Sequence, residues 1–484
     1  MMQRCYILLL ICALATSGRA QNVFNMTDVI ERAQSQSPAF KQAETRKENR
    51  YWQYRFFRTN YNPQLRMSSN NAGSLYNNSF TPVRQPDGSI RYLPLNQLNP
   101  GLNFGLQQPI QWTGGMVFVN STYNYFNNIT DETSQWNGTP FNIFLSQPLL
   151  AFNPYKWDKK IEPIRYEESR REYAESMEAI SRDAVETFFN VLQAQVNLQI
   201  AQFNLANNDT IYKIEQGRYN IGTTSEDKLL QVELQLLRSR QDVARANLDL
   251  QTAQLQLRTF IGLRNGEDFQ LVLPDQIPQF DVAEDEALTY ARQTRAAYIA
   301  FERRKMEADR DVAEAKGQRY QASVTASYGT NNIGNSLSEV YQNTSRQQLA
   351  NVSFNVPIVD WGRRKALMQT ALANKRLNDY IIAQDQITFE QQIITQVRQF
   401  EMLRLQIEIT KKSDEVAQNR YNVAQNRYLI GKIDITNLNI ALTEKDAAKR
   451  SYIDALKTFW MAYYDLRRLT LYDFAGRRLL YSGS

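Results

Sequence analysis

Two short segments carry the same three reactive or turn-forming residue types in the same order. They are Arg-Tyr-Asn-Ile-Gly at 218–222 and Arg-Tyr-Leu-Ile-Gly at 427–431, which lie 209 positions apart. A guanidinium donates hydrogen bonds to carboxylates, a phenol both donates and accepts them, and glycine tolerates the left-handed backbone that ends a helix. The chemistry these residues support is therefore hydrogen bonding, ion pairing and chain reversal.

The residue types that serve nucleophilic and metal chemistry are scarce. The chain has no histidine, and its two cysteines, Cys5 and Cys12, lie in an apolar N-terminal segment. Beyond that segment, thiol nucleophiles, imidazole bases and thiolate or imidazole metal ligands are excluded. The chain also shows no glycine-rich phosphate loop before a helix and no carboxylate cluster. We expect no enzymatic activity, no cofactor and no metal site.

Each segment lies where one long helical pattern ends and another begins. Apolar residues recur at every seventh position on both sides of the first segment, for example at Leu229 and Leu236. This spacing is typical of a coiled-coil seam. We therefore predict two helical hairpins that turn at Gly222 and Gly431, with leading arms of about 100 Å at 1.5 Å per residue.

The hairpins belong to an internal duplication. Pro148 and Pro357, each at the end of a strand-like segment, are also 209 positions apart, and Trp157 and Trp361 follow them where the helical patterns start. Each half therefore carries strands, a strand-to-helix junction and a helical hairpin.

The arms that return from the two turns are only about half as long as the leading arms, so each needs a second helix to match them. We expect the helix at 225–260 to be continued by one at 283–316. The C-terminal helix at 433–471 would be continued by one at 27–58, capped by Thr27. Each pair totals about 70 residues, which predicts columns of equal height.

Alternating apolar and polar residues predict strands in both halves. The alternation covers residues 64–68, 102–107, 117–126, 141–147, 322–328 and 351–356. Tilted strands of about ten residues can cross a bilayer, but one chain has too few to close a barrel, so several copies must contribute. The segments at 70–100 and 330–346, rich in Asn, Ser and Gly, are predicted loops.

The N-terminus and the overall composition set the compartment. Arg4, the apolar run at 6–15 and Gly18-Arg19-Ala20 predict a signal peptide that ends near residue 20. The mean hydropathy of −0.53 predicts no membrane-spanning helix. The formal charge of +6 comes from interleaved acidic and basic residues, without the basic patch that nucleic acid would require.

Taken together, the signal peptide, the duplicated order of strands and hairpin, the two prolines and the two Arg-Tyr-x-x-Gly turns resemble the TolC-type outer-membrane efflux channels over residues 21–474. The resemblance implies a mainly α fold with a transmembrane β-barrel, in which a trimeric β-barrel is continued by a periplasmic α-helical barrel. It implies a homotrimer in outer-membrane lipid that works with a periplasmic adaptor protein and an inner-membrane pump. The channel would be the passive exit duct of a tripartite efflux pump or a type I secretion system of a Gram-negative bacterium.

The resemblance also assigns residues. The hairpin turns would form the periplasmic tip, where a closed entrance opens and where Tyr428 matches the gating tyrosine. The tip residues would be Arg218, Tyr219, Gly222, Asp227, Arg427, Tyr428, Gly431 and Asp434. The strand-to-helix junction residues would be Pro148, Trp157, Pro357 and Trp361.

Three tip positions depart from the family pattern. Ile433, Asn437 and Lys228 stand where charged residues, respectively an arginine and two aspartates, are expected from the family. An acidic entrance would therefore be shifted to Glu226, Asp227 and Asp434. The simpler interpretation of the two turns, in which glycine caps a helix and Arg-Tyr stabilises its last turn, is compatible with a gate.

A second departure lies at 102–126. Gln108-Pro109-Ile110, followed by Trp112, imitates the strand end at Pro357 and Trp361. We interpret this as an extra hairpin whose turn lies on the periplasmic side. It either joins the barrel, which gives about eighteen strands per trimer instead of twelve, or folds as an external excursion.

These predictions divide the chain into successive segments. They are the signal peptide at 1–20, an N-terminal periplasmic helix at 21–60, first-half membrane strands with the extra hairpin at 61–150, the first long hairpin at 151–262, a linker with a stacked helix at 263–318, second-half membrane strands at 319–360, the second long hairpin at 361–474 and a C-terminal tail at 475–484. Two alternative functions are a periplasmic coiled-coil interaction protein, which heptads alone would suit, and an uptake porin, which needs no hairpin tunnel.

Overall fold

The computed structural model describes residues 22–69, 75–149, 151–263, 269–274, 276–318 and 321–481, so the predicted signal peptide lies outside the described residues. The helices within them are α1 (Met26–Gln36), α2 (Pro38–Thr59), α3 (Pro154–Asn220), α4 (Glu226–Ile261), α5 (Glu284–Thr294), α6 (Ala296–Gly317), α7 (Arg363–Leu429) and α8 (Ile435–Thr470), with a 3-10 turn at Glu339–Tyr341. The strands are β1 (Asn22–Phe24), β2 (Gln64–Ser69), β3 (Tyr76–Arg84), β4 (Ile90–Leu98), β5 (Gly101–Ile110), β6 (Gly115–Asn128), β7 (Thr133–Pro148), β8 (Phe269–Leu271), β9 (Gln321–Gly334), β10 (Ser345–Asn355), β11 (Tyr472–Asp473) and β12 (Arg478–Leu479). Among the described residues, no helix is both long enough and apolar enough to cross a membrane.

The chain divides into two compact units. The helical unit contains the described residues of 22–47, 169–298 and 386–481, and the strand unit contains those of 48–168 and 299–385. The two long helices, α3 and α7, contribute residues to both units and have 67 residues each. At 1.5 Å per residue, each is about 100 Å long, as the heptad pattern predicts.

Both long helices end in the same turn. The amide of Gly222 donates to the carbonyl of Tyr219, and the amide of Gly431 donates to that of Tyr428, each at 2.9 Å. The two glycines have φ values of +73° and +71°, in the left-handed region that other residues enter only at a cost. The Arg-Tyr-x-x-Gly segments therefore form equivalent turns in the two halves.

The long helices begin at positions other than the tryptophans predicted to start them. The first begins at Pro154, which suits the first turn because a proline there loses no helical hydrogen bond. The second begins at Arg363, because Asp360 accepts hydrogen bonds from the amides of Gly362 at 3.0 Å and Arg364 at 3.3 Å and so caps the helix after Trp361.

Two helices predicted as continuous are interrupted. The first breaks at Ser37, since Pro38 restricts the residue before it, and its cap is Asn25 rather than Thr27. Asn25 and Asp28 form a reciprocal capping box. The helix predicted at 283–316 breaks at Arg295, whose backbone is extended, between α5 and α6.

The pairing of short helices with returning arms is the reverse of the prediction. A Cβ placed on Gly262, which ends α4, would lie 3.1 Å from the carbonyl oxygen of Gln36 at the end of α1. Thr294, at the end of α5, donates a 2.7 Å hydrogen bond to the carbonyl of Thr470 at the end of α8. The end of α4 therefore meets the break between α1 and α2, and the end of α8 meets the break between α5 and α6. Helix length could not distinguish the pairings, because α2 and α6 both have 22 residues.

The helical unit contains three clusters of buried apolar residues. The central cluster is built on α1, α3, α4, α7 and α8 and includes Phe188, Phe189 and Phe459, all fully buried. A second cluster joins α5 to α7 and α8. The third, here called the tip cluster, consists of Ile211, Val232, Tyr421, Tyr428, Ile435, Leu438 and Leu442.

The strand unit is organised around one antiparallel sheet. Its continuous order is β2-β5-β6-β7-β9-β10, and the hairpin β3-β4 joins it through the end of β4, which pairs with β6. The turn at 111–114 between β5 and β6 lies at the same end of the sheet as the start of α3, since Asn153 donates a 2.9 Å hydrogen bond to the carbonyl of Gln111.

The two predicted loops of this unit are largely structured. Within 70–100 the chain forms β3 and β4, because the Asp87-Gly88 turn lets two strands with alternating side chains pair over nine residues each. Within 330–346, β9 continues to Gly334 and β10 begins at Ser345, so only a short connection with the 3-10 turn remains.

Candidate functional site

The hairpin turns meet around the ring of Tyr428. This side chain is 3% exposed and belongs to the tip cluster, in which Ile211 of α3, Val232 of α4 and Leu438 of α8 are also buried. Each of the four hairpin helices, α3, α4, α7 and α8, thus contributes an apolar or aromatic side chain to the tip cluster. The tyrosine is held in place by packing, and only its hydroxyl needs a polar partner.

That partner is a carboxylate on the other hairpin. The hydroxyl of Tyr428 donates a 2.7 Å hydrogen bond to Oε1 of Glu215, and Nη1 of Arg218 donates a second 2.7 Å bond to the same oxygen. The guanidinium of Arg218 also lies 5.5 Å from the centre of the Tyr428 ring. These three side chains, which we call the tip triad, connect the turn of α7 to the last turn of α3.

The titration behaviour of the triad follows from its burial. Burial and the bond to Glu215 raise the pKa of Tyr428, so the phenol stays protonated and remains a donor at physiological pH. Burial alone would raise the pKa of Glu215, but hydrogen bonds from Tyr428, Arg218 and Thr224 outweigh it and hold that pKa below its ordinary value. The triad is therefore an ionised carboxylate held between a neutral phenol and a guanidinium.

The turns enclose a polar cavity of about 540 Å³. Its lining includes the triad, Lys228 and Lys432 as cations, and Asp434 as a further anion. The positive charges come from Arg218 at the end of α3, Lys228 in the first turn of α4 and Lys432 in the second glycine turn. The lining therefore carries both signs of charge and is not a purely acidic surface.

The other residues predicted at the tip occupy different environments. Tyr219, the counterpart of Tyr428, is 41% exposed, and Arg427, the counterpart of Arg218, is exposed. Asp227 lies exposed in the first turn of α4. Asp434 is the N-cap of α8 and accepts bonds from the backbone amide of Asn437 at 2.9 Å and from its side chain at 2.8 Å.

Sequence reasoning missed Glu215, the acceptor at the centre of the triad. It lies one helical turn before Arg218, and an oppositely charged pair at that spacing shares a helix face, which is the signal that could have indicated it. The residue 209 positions later is Ala424, which packs against the tip cluster. The duplicated turns are thus equivalent in backbone but not in side-chain chemistry.

The two strand-to-helix junctions also differ. Pro148 is the last residue of β7, and Trp157 is half-buried in the first turns of α3 with the Lys160 ammonium 5.4 Å from its ring. Pro357 lies two residues after β10, and Trp361 is 96% exposed with a φ of +51°. The structure therefore places one junction tryptophan against its own helix and leaves the other on the surface of the isolated chain.

The part of the chain that the structure describes holds no group of three or more His, Cys, Asp or Glu side chains arranged to bind a metal ion. The polar groups at the turns instead form hydrogen bonds and ion pairs with one another.

Comparison with known proteins identifies the family. The sequence matches the outer membrane efflux protein family over residues 29–263 and 285–470, so the chain belongs to this family. It is accordingly an outer-membrane channel that serves as an exit duct for efflux. No curated protein matches the chain.

Solved structures show the same fold at low sequence identity. The CmeC outer membrane channel of Campylobacter jejuni is 16% identical with a TM-score of 0.66, and the match covers 95% of this chain and 87% of that one. VceC of Vibrio cholerae is 14% identical with a TM-score of 0.64, covering 92% and 95%. The open state of the MtrE channel of Neisseria gonorrhoeae is 16% identical with a TM-score of 0.62, covering 92% and 88%.

Proposed function

We propose that this protein is the homotrimeric outer-membrane duct of a tripartite efflux system, and that the tip triad is the latch of its periplasmic entrance. The long hairpins would extend into the periplasm and end at the glycine turns. Members of the family work as trimers with adaptor and pump partners. For this chain, an adaptor protein would bind at the turns, and an inner-membrane pump would supply the energy.

The observation that carries the proposal is the bond between Tyr428 and Glu215. It connects the two hairpins of one chain within about two helical turns of their tips, and it lies inside a cluster that buries the tyrosine ring. A hydrogen bond to a charged group contributes about 1.5–3 kcal/mol. That is large enough to keep an entrance closed and small enough for a binding partner to overcome.

Opening requires the α7-α8 turn to move away from the end of α3. Such a movement breaks both bonds to Glu215 and exposes the carboxylate to water, where it no longer needs either donor. An adaptor that supplied a cation to Glu215, or an acceptor to Tyr428, would stabilise the open arrangement. The latch therefore opens when a partner replaces the contacts that the closed state makes internally.

The direct test is Glu215→Ala in planar lipid bilayers. This change removes the acceptor of both Tyr428 and Arg218, so we expect a higher resting conductance than the wild-type channel shows. Glu233→Ala is the matched control, because it removes an exposed carboxylate from α4 of the same hairpin and should leave conductance unchanged. Equal resting conductance in wild type and Glu215→Ala would reject the latch.

Two further measurements address the assembly. A trimer should migrate as one heat-modifiable species in unheated detergent gels of the outer-membrane fraction. A photo-crosslinker at Ile221, which is 74% exposed at the first turn, should capture the adaptor in cells, whereas one at Trp112 in the β5-β6 turn should not. Recovery of the protein as a soluble periplasmic monomer would instead favour the coiled-coil interaction protein, and efflux without any adaptor would favour a porin.

A further inference from the structure

The hairpin formed by β5 and β6 lies inside the sheet and is not an appendage to it. β5 pairs with β2 on one side and with β6 on the other, and β6 pairs in turn with β7. Every neighbouring pair in the order β2-β5-β6-β7-β9-β10 is antiparallel. The described residues show no pairing of β2 with β7, which a four-stranded contribution would require.

An apolar row of the sheet continues through this hairpin. One cross-strand row consists of Leu65, Leu106, Val119, Ile143, Tyr328 and Gln348, one residue from each strand. Five of the six side chains are apolar or aromatic, and Leu106 and Val119 of the hairpin lie at its centre. Such a row suits contact with lipid.

The neighbouring row lies on the opposite face and is polar. It consists of Arg66, Gly105, Asn120, Asn142, Gly329 and Gln347. The side-chain oxygens of Asn120 and Asn142 would each lie 2.9 Å from a Cβ placed on Gly105 and Gly329 respectively, so the amides cover the glycines. The hairpin thus keeps the register of its neighbouring strands in both rows, with lipid-suited residues in one row and water-suited residues in the other.

The outer strands of the sheet are suited to pair with each other between copies. Among the described residues, β2 pairs only with β5, and β10 only with β9. Because the six strands alternate in direction, β2 and β10 run in opposite directions. The β10 strand of one copy can therefore continue the antiparallel pattern with β2 of the next, which removes the exposed edges that lipid does not tolerate.

We propose that each chain contributes six strands and that three copies close an eighteen-stranded barrel. This inference rests on the homotrimer of the proposed function. Barrel diameter grows roughly linearly with strand number, so this barrel would be about one and a half times as wide as one of twelve strands. Barrels of 16–18 strands leave an aqueous channel. The membrane segment would thus be a wide, water-filled exit, and the constriction of the duct would lie at its tip.

Single cysteines can test the strand count, because the native cysteines, Cys5 and Cys12, both lie in the predicted signal peptide. Leu106→Cys and Asn120→Cys report on the two faces of the hairpin. Tyr328→Cys and Asn142→Cys are their references, because they lie in the same two rows on β9 and β7, which belong to the barrel in either arrangement. Each variant is reconstituted in vesicles and treated with a charged, water-soluble thiol reagent or with a fluorophore that spin-labelled lipid tails quench.

The expected result is a match within each row. A fluorophore at 106 should be quenched by lipid as strongly as one at 328, and the charged reagent should modify 120 and 142 alike and lower conductance at both. If 106 and 120 both react with the charged reagent without loss of conductance, while 328 and 142 behave as expected, the hairpin is an excursion and the strand count is wrong. If the protein is monomeric in unheated gels, and Tyr328→Cys and Asn142→Cys show the same lipid quenching and the same reactivity with the charged reagent, the trimeric duct is wrong instead. If Leu106→Cys fails to fold, Leu102→Cys replaces it in the comparison with Tyr328→Cys, since Leu102 lies on the face of Leu106.

Discussion

The hydroxyl of Tyr428 lies 2.7 Å from a carboxylate oxygen of Glu215, although 213 positions separate the two residues in the sequence. The equivalent tyrosine of the first motif, Tyr219, is 41% exposed. The two halves of the chain thus carry turns with the same backbone, of which only one holds a buried phenol. The asymmetry makes the second turn the place to test gating, and it provides a matched control in the first.

Tyr428→Phe should raise the resting conductance of the channel in planar bilayers. The ring keeps its packing in the tip cluster, and only the hydrogen bond to Glu215 is lost. Losing about 1.5–3 kcal/mol of closure should raise the open fraction roughly ten- to hundredfold. Tyr219→Phe makes the same chemical change at the exposed copy and should have no effect. A conductance that rises equally in both variants would contradict a specific role for Tyr428.

The closed state should weaken at acidic pH. The pKa of Glu215 is held below its ordinary value of 4.5 by its donors, so its ionised form stabilises the closed tip fully above that value. That stabilisation is lost as the pH falls through the lowered pKa. Resting conductance should therefore rise as the pH is lowered below about 4.5. Glu215→Gln removes the charge and should remove this pH dependence, with a raised conductance already at neutral pH; a wild-type response that persists in this variant would assign it to another group.

Gly431→Ala should destabilise the tip, and Gly217→Ala should not. A Cβ at either position would meet no atom within 4 Å, so space does not distinguish them. Gly431 has a φ of +71°, where alanine costs about 1–2 kcal/mol, whereas Gly217 lies within α3, where alanine is favoured by about 0.5–1 kcal/mol. Amide hydrogen exchange of the tip residues should accelerate in the first variant and slow in the second. Changes of the same sign in both would show that backbone conformation is not the determining factor.

Glu178→Ala should lower the free energy of unfolding of the assembled protein by about 3 kcal/mol. Glu178 is buried, its Oε2 lies 2.9 Å from Nε of Arg467, and its Oε1 accepts a 3.0 Å hydrogen bond from Nη2 of that arginine. Its loss leaves the largely buried guanidinium of Arg467 with Asp473 at 3.6 Å. Glu284→Ala is the comparison, because its pair with Arg398 at 2.8 Å is exposed to solvent, where screening leaves such a pair little effect on stability. Unfolding monitored by circular dichroism distinguishes the two. Equal losses would mean that burial of the first pair has little energetic consequence.

Periodicity predicted the parts of the fold that repeat. Heptads follow directly from the requirement that helices keep one face toward a neighbour, so both long helices and both turns could be found from the sequence. Strand alternation likewise located β5, β6, β7, β9 and β10, because each has one apolar face.

Periodicity could not decide which elements pack together when the candidates have equal length or similar polarity. The two short helices α2 and α6 have the same length, so nothing in their sequences assigned them to a particular returning arm. Glu215 gave no sign of its long-range partner, because a carboxylate on a helix usually faces water. The hairpin β3-β4 was obscured by its polar composition, although the Asp87-Gly88 turn signal was present.

The tip cluster shares no buried residue with the central cluster that includes Phe188 and Phe459. Regions of a protein whose cores are separate unfold and refold as separate cooperative units. Opening of the proposed latch would therefore leave amides around the central cluster protected from exchange. Proteolysis at the glycine turns, or loss of the Tyr428–Glu215 bond, would then leave the helices around the central cluster folded.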